Sequence, residues 1–62
     1  MELNTGEYLK KILVDTQEQV RDLMLHSDNV EDEHLSKFLK QCALTQAEQA
    51  QQLRLYIGNI DS

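Results

Sequence analysis

Apolar residues return every three or four positions in two runs: Leu9, Leu13, Val20 and Leu23 in the first half of the chain, and Leu35, Leu39, Cys42, Leu53, Ile57 and Ile60 in the second. Side chains three and four apart share a helix face, so each run puts one apolar stripe on a helix. The polar, acidic stretch Ser27-Asp28-Asn29-Val30-Glu31-Asp32-Glu33 separates the runs. The pattern predicts an all-α antiparallel two-helix hairpin in one domain, 1–62, with helix one over about 5–26, a turn over about 27–31 and helix two over about 32–57.

Local signals sharpen these boundaries. Asn4 is placed to cap the first helix while Glu7 reaches back from three residues on, and Leu3 is placed to pack on Tyr8 as a staple. For the second helix, either Asp28 with Glu31 or Asp32 serves as the cap, and the cluster of acids suits the positive end of the helix dipole. Gly58 is expected to stop the second helix in a left-handed conformation. A calcium loop would need alternating oxygen ligands and a turn glycine, which this stretch lacks.

The first stripe spreads over Leu9, Ile12, Leu13, Thr16, Val20, Leu23 and Met24, an arc of about 120° that suits a helix with two neighbours. The second reads Leu35, Phe38, Leu39, Cys42, Gln46, Gln49, Ala50, Leu53, Tyr56, Ile57 and Ile60. A turn centred near Asn29 sets Val20 beside Leu39, Thr16 beside Cys42 and Leu13 beside Gln46. Helix two then overhangs, leaving Tyr56, Ile57 and Ile60 with only Met1 and Leu3 as local cover. Val14, Leu25, Leu44 and Leu55 point away from both stripes.

Length makes association the central expectation. A chain of 62 residues with a single cysteine has no internal disulfide to brace it, and a lone hairpin covers one face of each helix at most. The expected form is an isologous homodimer closing into a four-helix bundle, with Leu53, Tyr56, Ile57 and Ile60 as the self-association residues. Another protein could instead supply the cover. The absence of Pro and the presence of only two Gly agree with long helices. A net charge of -5 with six scattered basic residues offers no patch for nucleic acid or anionic lipid. With no basic leader and no apolar run of membrane length, a cytoplasmic location is expected.

Candidate chemistry is sparse, and no cofactor or catalytic group is expected. Glu31 and His34 stand three apart, and Asp22 and His26 four apart, spacings that aim a carboxylate and an imidazole from one helix side and could hold a transition metal. The plainer reading is four exposed polar residues around a turn. Cys42 falls on the apolar stripe as a small hydrophobe without a catalytic neighbour. Thr16, Gln46 and Gln49 interrupt the stripes and read as a polar core layer that fixes register or partner.

The run Phe38 to Ile57, FLKQCALTQAEQAQQLRLYI, resembles the second helix of ferritin-like bacterial proteins, in which Glu-x-x-His-Ala-x-x-Leu carries metal ligands. The resemblance sets the family's Glu on Gln46 and its His on Gln49, with Thr16, Gln17 or Gln19 at the level of its other Glu. It implies half of an up-and-down four-helix bundle whose metal site is lost, since amides replace anionic and imidazole ligands poorly. The leading expectation is a non-enzymatic interaction protein, a regulator or assembly factor. The alternatives are a metal-binding ferritin-like helical protein and an acidic decoy of a nucleic-acid-binding protein.

Overall fold

A computed structural model describes residues 4–61; Met1 and Leu3, expected as a staple and as cover, lie outside the described residues. The chain forms two helices, α1 (Thr5–Asn29) and α2 (Glu33–Asp61), joined by Val30, Glu31 and Asp32. They pack against each other as a flat hairpin with Cα extents of 44 × 23 × 10 Å. Asn4 caps α1, its Oδ1 accepting the Glu7 N–H at 2.8 Å. Asp32 caps α2, its Oδ1 accepting the N–H groups of His34 and Leu35 at 2.9 and 3.1 Å.

Helix α1 runs three residues beyond its expected end because the polar residues there satisfy themselves on the helix. The Ser27 hydroxyl donates to Met24 O and the Asn29 amide to Leu25 O, bonds that leave helical backbone intact. Val30 then turns to extended backbone, its N–H donating to His26 O, and ends the helix. At the other end α2 passes through Gly58 to Asp61 without any left-handed residue. Gly58 is therefore helix interior, not a stop.

The shorter link changes the register. The Ser36 hydroxyl donates to Ser27 O at 2.8 Å, placing these two serines opposite each other. Because both helices rise equally per residue, stepping away from this contact by sevens sets Val20 level with Ala43, Leu13 with Ala50 and Gly6 with Ile57. The pairs expected from the sequence are thus displaced by about one helical turn. The expected overhang of α2 shortens, with Ile57 half-buried level with the buried Gly6 and, among the described residues, only Ile60 and Asp61 beyond the level of Asn4.

Apart from Gln17 and Cys42, burial follows a heptad. On α1 the buried and half-buried positions are Gly6, Leu9, Leu13, Thr16, Gln17, Val20, Leu23 and Ser27, with Val30 next in the linker; on α2 they are Ser36, Leu39, Cys42, Ala43, Gln46, Ala50, Leu53 and Ile57. Alternating steps of three and four make a narrow coiled-coil seam, not the wide stripe read from hydropathy. In alternate layers across it large meets small, Val20 against Ala43, Leu13 against Ala50 and Ile57 against Gly6, while the layers between set Leu9 near Leu53 and Leu23 near Leu39. Small residues let the helix axes approach closely. They also leave the hairpin almost without a core, since among the described residues the only buried hydrophobic side chains are Ala43 and Ala50.

Candidate functional site

Seams this narrow leave the rest of each apolar stripe outside, and the two broad sides of the hairpin differ. On one side, shallow hollows are lined by Gln19, Asp22, Leu23, His26 and Gln46, and along α2 by Phe38, Gln41, Cys42, Thr45 and Gln49. Leu35, Tyr56 and, on α1, Ile12 fall on the same side at seven-residue steps from Cys42 and Gln19. Phe38 is 63% exposed and Tyr56 62%, with Ile12 and Leu35 also open to solvent. Along the other side runs a hollow lined by Gln17, Val20, Ala47, Ala50 and Arg54. Lys40 and Lys10 continue the lines of Arg54 and Gln17 at seven-residue steps. One side is therefore apolar with a polar middle, and the other is basic at its edges.

The polar middle coincides with the layer anticipated at Thr16, Gln46 and Gln49. Thr16 and Gln46 are both half-buried, and the register places them within one position of level, whereas Gln49 is exposed. The Thr16 hydroxyl donates to Ile12 O of its own helix at 2.8 Å. Oε1 of Gln46 is buried and has no hydrogen-bond partner. A buried carbonyl oxygen without a donor costs on the order of 1–3 kcal/mol, so this amide is under pressure to find one.

The four residues weighed as metal ligands are spread out. Asp22 and His26 border the hollow beside Gln46, while Glu31 is exposed in the turn and His34 exposed in the first turn of α2. Among the described residues no three His, Cys, Asp or Glu side chains converge on a point where a metal ion could sit. Cys42 is a half-buried free thiol on the apolar side. The two positions that the ferritin-like resemblance aligns with ligands thus hold one half-buried and one exposed amide.

Of the residues expected to self-associate, Tyr56 and Ile60 are exposed, while Leu53 and Ile57 are half-buried in the seam. Tyr56 is exposed because it points sideways from α2, whereas Ile60 continues the seam past the level of Asn4, where α1 begins. Phe38, Leu35 and Ile12 extend the same apolar side toward the turn and across α1. They belong to the hydropathy stripes, and it is the small seam residues Gly6, Ser27, Ser36, Ala43 and Ala50 that separate seam from outer face. No helix among the described residues is long and apolar enough to cross a membrane. Comparison with protein families, with curated proteins and with solved structures finds no match to this chain.

Proposed function

We propose that the chain is a non-enzymatic helical interaction protein that works as a homodimer, two hairpins closing into a four-helix bundle. The observation that carries this reading is that, among the described residues, no large apolar side chain is buried and the core is Ala43 and Ala50. Meanwhile Phe38, Tyr56, Leu35 and Ile12 lie in water on one side. Alanine burial contributes little, because hydrophobic stabilisation scales with the area removed from water.

Surface area points the same way. A folded monomer of this mass is expected to expose about 4,100 Å², whereas the hairpin exposes 5133 Å². The excess, on the order of 1,000 Å², compares with the roughly 800 Å² that each partner contributes to a standard interface. The surface hollows among the described residues are open and shallow, and none encloses a substrate-sized cavity, which supports a binding role.

Sedimentation equilibrium tests the reading. Expected is a dimer whose helicity falls with dilution, and which Tyr56→Asp or Phe38→Asp dissociates. These exposed positions leave the seam intact, whereas Ile57→Asp would also strike the hairpin itself. A cooperatively melting monomer at all concentrations would refute the proposal.

A further inference from the structure

Resting on the homodimer reading, we infer that the second copy packs on the apolar side with its turn at the opposite end, the two copies crossing at Gln46, whose side-chain amide pairs with its twin. Three observations lead there. The first is symmetry. On the apolar side of α2, Leu35 and Tyr56 lie eleven and ten residues either side of Gln46, and on α1 Ile12 and Gln19 lie four and three either side of Thr16, which is within one position of level with Gln46.

An isologous contact requires that residue i meet j while j meets i. A two-fold axis crossing the hairpin at Gln46 fulfils this for both helices at once. Leu35 then meets Tyr56 of the second copy, Ile12 meets Gln19, and the polar middle falls on itself.

The second observation is the orphaned oxygen. Gln46 Oε1 lacks a donor, and the Thr16 hydroxyl, within one position of its level, spends its single proton on Ile12 O. An amide carries both an acceptor and two donors, so two copies meeting at the axis close two reciprocal N–H···O bonds. Gln46 is only half-buried, so rotation of its side chain carries the amide to the apolar side.

Charge supplies the third. Asp28, Glu31, Asp32 and Glu33 crowd each turn, and a dimer with both turns at one end would bring eight carboxylates together. Opposite ends separate the turns by far more than the roughly 8 Å over which exposed charges act at physiological salt. The excess exposed area is about what one such face contributes, and the second copy is therefore the occupant that this face fits.

Pulsed dipolar spin resonance on full-length chain carrying Cys42→Ala and a label at Glu31→Cys reads the arrangement directly. The label lies fifteen residues from Gln46, so at 1.5 Å per residue on each side of the axis the expected separation is about 45 Å. A separation below about 25 Å, turns together, overturns the arrangement while leaving the homodimer standing. A chain that sediments as a monomer instead fails the homodimer reading and this one with it. Gln46→Leu is expected to keep the dimer but broaden the single distance into several, because the register constraint is lost. An unchanged single distance in that variant overturns the role given to Gln46.

Discussion

The Ser36 hydroxyl donates to the backbone carbonyl of Ser27 at 2.8 Å, and this bond ties the start of α2 to the end of α1. Ser27 is itself 1% exposed, so its carbonyl has little access to water once the bond is lost. Ser36→Ala is therefore expected to destabilise the fold by about 1–3 kcal/mol, the cost of an unsatisfied acceptor. The Ser27 hydroxyl donates only to Met24 O, a carbonyl of its own helix. Ser27→Ala should stay within about 0.5 kcal/mol of the parent, since alanine fits the space and favours helix. Urea unfolding at fixed protein concentration separates the two, and equal losses would contradict the assignment.

Large-against-small pairing predicts a compensating swap. Leu13 lies level with Ala50, which is buried at 5% exposure. Ala50→Leu alone should cost about 1–3 kcal/mol by forcing the helices apart. Adding Leu13→Ala, which by itself removes packing, should recover at least about 1 kcal/mol of the summed losses in a double-mutant cycle. Strict additivity would show that the two residues do not share a layer.

Much of this architecture was legible beforehand, and what was not has a physical reason. Two helices, the Asn4 cap and one apolar stripe per helix follow from periodicity and capping chemistry. The seam did not, because Gly6, Ser27, Ser36 and Ala43 are small and hydropathy weighs them lightly, although they decide where two helices can approach. The turn was misplaced because Ser27, Asp28 and Asn29 are residues that often end helices, whereas here the side chains of Ser27 and Asn29 bond to the preceding turn. Moving the turn by about two residues moved every facing pair by about one helical turn. Among the candidate site residues, the interruption of the stripes at Thr16, Gln46 and Gln49 is legible as a polar layer, but periodicity does not show that Gln49 is exposed or that the Gln46 oxygen lacks a donor.

Capping at the second helix singles out one of several neighbouring acids. Asp32 accepts two backbone N–H groups, from His34 and Leu35. Asp32→Ala should cost about 1 kcal/mol, and Asp32→Asn, which keeps the acceptor, much less. Glu31→Ala, by contrast, removes an exposed side chain in the linker and should change stability by under about 0.5 kcal/mol. Thermal melts of the three variants rank them, and a Glu31 effect equal to that of Asp32 would contradict the cap.

Gly58 tests the far end of α2, where the sequence suggested a stop. It sits inside the helix at a negative φ, and a Cβ built on it meets nothing within 4 Å. Glycine at such a position costs helix stability, because the unfolded chain has more freedom there than alanine would allow. Gly58→Ala is therefore expected to stabilise the protein by about 0.5–1 kcal/mol and to raise its helicity slightly. Had the residue been a left-handed cap, the same change would strain the backbone and lower the melting temperature. The sign of the shift, measured by circular dichroism at one protein concentration, distinguishes a helix that continues to Asp61 from one that ends at Ile57. A gain in stability also bears on association, since Ile60 follows this position and is presented from a regular helix only if α2 runs through it.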